Sequence, residues 1–116
     1  MVRNSRMTFD EYQKQANDTR TYPEYGQSTI GAVAYCALGL AGEAGETANK
    51  VKKLLRDGDT AERRVQIIEE IGDTLWYCAT LAEELGYSFD YIAGGNIAKL
   101  IARKYKGTIH GDGDHR

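Results

Sequence analysis

The chain has 116 residues and a formal net charge of −2, enough for one domain with no room for a separate substrate domain. The near-neutral balance excludes a generic nucleic-acid surface, because the late basic residues Lys99, Arg103, Lys104 and Lys106 recur at helical spacing and acids offset them elsewhere. No apolar run reaches membrane-spanning length, and the polar start from Met1 to Asp10 lacks the apolar centre of a signal peptide. Cys36 and Cys78 have no metal-ligand spacing and read as reduced, partly buried thiols of a cytoplasmic protein.

Four helices and no strand emerge along the chain. Thr8 and Glu11 form a capping-box pattern that opens a short first helix with Phe9, Tyr12 and Ala16 as its apolar stripe. Thr19 to Gln27, which holds the only proline, Pro23, is the main irregular connection. Ser28 or Thr29 caps a long second helix running to about Leu55, and Asp57-Gly58-Asp59 makes a turn. Asp59 with Glu62 supplies the capping box of a third helix, which runs to Leu85 and stops at Gly86. Ser88 caps a fourth that ends near Lys106-Gly107. The fold class expected is all-α, a four-helix bundle-like domain over residues 1–107, followed by a Gly/Asp-rich tail over 108–116 that is too polar to pack alone.

Both long helices carry two distinct stripes. In the third, Ile68, Ile71, Leu75, Cys78, Ala82 and Leu85 recur as a bundle seam, while Glu70, Asp73, Tyr77, Thr80 and Glu84 fall together on another side. In the second, Val33, Ala37, Leu40, Ala44, Val51 and Leu55 share one stripe, and Gly39, Glu43, Glu46, Lys50 and Lys53 share another. Two such helices have too few apolar partners within a chain of this size, so a second copy is expected to complete the core and the pocket.

The polar stripes carry the chemistry. Glu43 with Glu46, and Glu70 with Asp73, each place two carboxylates three residues apart on one helix face. Antiparallel packing brings the pairs together. Two carboxylates about 5 Å apart at an effective dielectric near 20 repel by roughly 3 kcal/mol, so four resist packing unless they bind protons or a cation. Gly39, Gly42, Gly45 and Gly72 lie beside these acids and together forgo roughly 4 kcal/mol of helix preference relative to alanine, which points to close helix approach or to space left for something. An all-oxygen ligand set without histidine (His110 and His115 are both in the tail) suits magnesium, or manganese in its place, better than zinc or a di-iron centre.

Leu40-Ala41-Gly42-Glu43-Ala44-Gly45-Glu46 and Glu69-Glu70-Ile71-Gly72-Asp73-Thr74-Leu75-Trp76-Tyr77 resemble the paired E-x-x-E and E-x-x-D motifs of the MazG-type nucleotide pyrophosphohydrolases. The resemblance continues in Asn96-Ile97-Ala98-Lys99-Leu100 through Arg103 and in Gly111 to Asp114, and extends weakly to Tyr12-Gln13. It implies an all-α fold, a dimer or tetramer, and magnesium-dependent hydrolysis of a nucleoside triphosphate to the monophosphate and pyrophosphate. Glu43, Glu46, Glu70 and Asp73 match the family's metal ligands, with Glu46 or Glu70 orienting or deprotonating the attacking water. Lys53, Lys99 and Arg103 match basic positions that steady phosphates; Lys50 joins them mainly by helical spacing. Tyr77 and Asn96 match an aromatic and a polar position lining the nucleotide pocket, and Trp76 points elsewhere as packing. The closest rival activity is phosphoribosyl-ATP pyrophosphohydrolase, and the rival from another class is a non-catalytic helical module that binds nucleotide or protein.

Overall fold

The computed structural model describes residues 6–107, and within them the structure is all-helical: α1 (Phe9–Asn17), α2 (Ile30–Asp57), α3 (Ala61–Glu84) and α4 (Phe89–Lys106). The tail over 108–116 lies outside the described residues.

Local chemistry sets the helix ends. At α1 both halves of the capping box form: the Glu11 N–H donates to Thr8 Oγ1 at 3.0 Å, and the Thr8 N–H donates to Glu11 Oε1 at 2.7 Å. Thr29, not Ser28, caps α2. At α3 the cap is Thr60 instead of the expected Asp59, because Asp59 makes a bidentate pair with Arg64 at 2.7 and 2.6 Å. The end of α3 is a Schellman motif, with Gly86 at φ +83° and Tyr87 N–H bonded to Ala82 O at 3.0 Å. Ser88 caps α4 as expected.

α3 is the central element. α2 packs along its front as an antiparallel hairpin, and α1 and α4 pack behind it; α2 touches neither α1 nor α4. Gln13, buried on α1, ties the back together: its side-chain amide donates to Ala79 O at 3.2 Å and Tyr87 O at 3.1 Å and accepts from Phe89 N at 3.0 Å. Two small core clusters result, one of Ala16, Ala79, Ala82 and Phe89, the other of Tyr22, Ala32 and Cys36. Trp76 packs against both and donates its indole N–H to Thr19 Oγ1 at 2.8 Å, the packing role expected of it. Cys36 is buried, Cys78 is half-buried, and both are free thiols.

The expected apolar seams are only partly internal. Leu75, Cys78 and Ala82 face α1, but Ile68 and Ile71 are 63 % and 54 % exposed because α1 and α4 cover only the C-terminal half of α3. On α2, Ala37, Ala44, Val51 and Leu55 are likewise exposed. The α2–α3 contact instead runs along Cys36, Gly39, Glu43, Thr47, Lys50 and Leu54. The radius of gyration is 16.7 Å, well above the ~13 Å of a compact 100-residue domain.

Candidate active site

The α2–α3 register brings the acidic motifs together. Gly39 faces Tyr77 so closely that an added Cβ would lie 2.3 Å from the Tyr77 ring, so this glycine is the notch that receives the ring. Gly42, Gly45 and Gly72 have no atom within 4 Å of the same position and leave open space beside the acids. One turn beyond Gly39, Glu43 reaches α3, and its carboxylate oxygen lies with those of Glu70 and Asp73 in a group whose members are all within 4.8 Å of one another. Thr47 and Thr74, four residues after Glu43 and Glu70, bond back to their carbonyls at 2.9 and 2.8 Å, which satisfies both hydroxyls inside the hairpin.

Electrostatics distinguishes Glu43. Partial burial raises its pKa first; a hydrogen bond with Glu70 and the charges of Asp73, Glu70 and Glu46 raise it further. Among the described residues the ion pairs engage Glu84, Asp57 and Asp59, and none reaches this trio. The donor set is oxygen only, half-buried at Glu43 and Glu70 and open at Asp73. It fits a hard divalent cation such as magnesium.

The remaining predicted residues divide into three groups. Glu46 belongs to the stripe and adds to the field at Glu43, but it is exposed and stands outside the group of three. Three residues turn the helix by about 300°, so Glu46 faces the flank of α2 where Glu43 faces α3. Lys53 follows on that flank, whereas Lys50 lies nearer the side that faces α3; both line a cavity of about 490 Å³ with Asp57, Arg63 and Gln66. Asn96 and Lys99 line a different cavity, about 610 Å³, with Asp90 and Tyr91, and Arg103 is buried on α4 at 5 % exposure. α4 packs against α1 and α3 and makes no contact with α2, so Asn96 and Lys99 line a cavity apart from the one beside Lys50 and Lys53. Tyr77 is half-buried beside the trio; burial raises its pKa, followed by the charges of Tyr35, Glu43, Cys36 and Asp73.

Sequence patterning did not single out Tyr35 or the environment of Glu84. Glu84 is 2 % exposed and accepts from Tyr22 Oη at 2.6 Å, Gly26 N–H at 2.7 Å and Ser28 N–H at 2.9 Å, with Arg20 at 3.4 Å. It anchors the 18–29 connection onto α3. No local signal reveals this, since its partners lie 56 to 64 residues away. Tyr35 had a readable signal, standing one turn before Gly39 on the stripe that carries Glu43.

The model of the MazG nucleotide pyrophosphohydrolase domain matches residues 33–108, a span that holds both acidic motifs. The chain is 46% identical over 114 residues to the "Gene 37 protein" of Mycobacterium phage L5, covering 95% of this chain and 100% of that protein, whose name states no activity. No solved structure matches the chain. Among the described residues, no helix is long and apolar enough to cross a membrane.

Proposed function

Since the chain belongs to the MazG nucleotide pyrophosphohydrolase family, we propose that it hydrolyses a nucleoside or deoxynucleoside triphosphate to the monophosphate and pyrophosphate in a magnesium-dependent reaction. The observation that carries this reading is the convergence of Glu43, Glu70 and Asp73 within 4.8 Å, with no basic partner among the described residues.

Those three carboxylates would hold the magnesium, for which manganese is a chemical substitute. When bound, the metal supplies charge neutralisation at the triphosphate and a lowered pKa for a coordinated water. Glu46, on the flank and outside the trio, orients the attacking water and takes its proton at a carboxylate oxygen, and it would be the further carboxylate able to help hold the cation. Attack at phosphorus breaks the α–β anhydride, and pyrophosphate leaves with its charge held by Lys50 and Lys53 on the same stripe. Tyr77 walls the pocket beside the acids.

Asn96, Lys99 and Arg103 act on substrate in this reading through assembly, since α4 makes no contact with α2, the helix that carries Glu43, Glu46, Lys50 and Lys53. A second copy covers exposed Leu38, Leu55, Ile68 and Ile71 and closes the pocket, making the working form a homodimer or homotetramer. Light scattering tests this; a monomeric mass at micromolar concentration would remove the assembly.

The activity is tested with a panel of standard and modified nucleoside triphosphates and phosphoribosyl-ATP, assayed with and without magnesium for pyrophosphate and orthophosphate. Magnesium-dependent pyrophosphate release from a nucleoside triphosphate is expected. Release of orthophosphate alone, or no turnover across the panel, would overturn the assignment.

A further inference from the structure

The acid-bearing stripe of α2 extends one turn beyond Gly39. Tyr35, Gly39 and Glu43 stand four residues apart along one side, and Glu46, Lys50 and Lys53 continue it. The Tyr35 ring stacks on Tyr22 with centroids 5.4 Å apart and planes at 16°, yet Tyr35 remains 43 % exposed. One face is thus backed by protein, and much of the side chain is left to solvent. Its backing is fixed: Tyr22 is 5 % exposed, its hydroxyl is bonded to Glu84, and its ring meets Tyr25 and Trp76 edge-on.

Tyr77 lies between Tyr35 and the acids. Its ring fills the Gly39 notch, and its hydroxyl feels Tyr35 and Glu43 together. Eight residues of α2 separate Tyr35 from Glu43, a rise of about 12 Å, comparable to the reach from phosphates to base in an extended nucleotide. The other aromatic groups nearby are engaged. Trp76 is packed in both cores, and Tyr25 has the Arg20 guanidinium over its ring at 5.5 Å. Tyr87 and Tyr91 stack on each other at the start of α4.

We propose that Tyr35 is the platform on which the substrate's nucleobase stacks, with Tyr77 as the adjoining wall and the Tyr22–Glu84 contact as the brace. The proposal rests on the reading of Glu43, Glu70 and Asp73 as the phosphate end of the same site. Every base presents a π-face to an aromatic ring, so this platform selects nucleotides over base-free polyphosphates.

The test is calorimetric binding, in magnesium, of α,β-imido deoxynucleoside triphosphates and of inorganic tripolyphosphate to the wild type, Tyr35→Ala and Tyr35→Phe. Wild type should bind both ligand types. Tyr35→Ala should weaken the imido-nucleotides about ten-fold or more, leave tripolyphosphate unchanged, and be rescued by Tyr35→Phe. Equal weakening of both ligands in Tyr35→Ala would make Tyr35 merely structural, and no weakening would place the base elsewhere; either overturns the proposal while the phosphate site stands. Failure of the wild type to bind tripolyphosphate or nucleotide would overturn the phosphate site and this proposal together.

Discussion

Two carboxylate centres share one stripe of α3, Glu70 with Asp73 near its middle and Glu84 at its end, and their surroundings are opposite. Glu84 is the more buried, yet it is fully provided for. Burial alone would raise its pKa, but the Tyr22 hydroxyl, the Gly26 and Ser28 N–H groups and the Arg20 charge outweigh burial and hold it below its ordinary value. Glu43, Glu70 and Asp73 are less buried and face mainly one another; at Glu43 partial burial first, then the hydrogen bond with Glu70 and the neighbouring acidic charges, push the pKa upward with nothing to outweigh them. The contrast shows that burial of a charge does not by itself mark a functional site; what matters is whether donors already surround it. Glu84 spends its acceptor capacity on holding a loop, whereas the trio retains capacity for a ligand.

Substitution should separate the two centres. Asp73→Ala should lower turnover about a thousand-fold or more, equivalent to ~4 kcal/mol of activation free energy, while its urea unfolding stays within about 0.5 kcal/mol of wild type. Glu84→Ala should act first on stability, losing about 3–5 kcal/mol, because it strands Arg20, the Tyr22 hydroxyl and two backbone N–H groups. A smaller effect appears in the pH dependence. The folded pKa of Glu84 lies below its unfolded value, so its contribution is complete above that value and is lost as pH falls through the folded pKa. Wild type should therefore lose stability below about pH 4.5, and the gap between wild type and Glu84→Gln should narrow over the same range in urea midpoints.

Features fixed by neighbouring residues were legible in the sequence. The Thr8–Glu11 box, Gly86 and the Ser88 cap depend on residues within one turn, and each is found where its pattern placed it. The acidic trio was legible too, because helix periodicity and a tight turn at Gly58 determine which residues face one another. Long-range competition was not. Asp59 yielded its cap to Thr60 by pairing with Arg64, and the Glu84 contacts form only when the 18–29 connection folds back. Glu46 differs from Glu43 by an angular offset that spacing alone does not resolve against an unseen partner helix. The apolar seams were correctly periodic, but periodicity does not say how far a packing helix extends, and among the described residues Ile68 and Ile71 stay more than half exposed.

The claim that Glu43, Glu70 and Asp73 form a cation site while Glu84 does not is tested most directly by thermal unfolding at neutral pH with and without about ten millimolar magnesium. A ligand that binds only the folded state raises stability by RT ln(1 + [L]/Kd). Wild type and Glu84→Gln should both gain melting temperature on adding magnesium, and Asp73→Asn should gain little or nothing. An equal gain in Asp73→Asn and wild type, or no gain in wild type, would contradict the account.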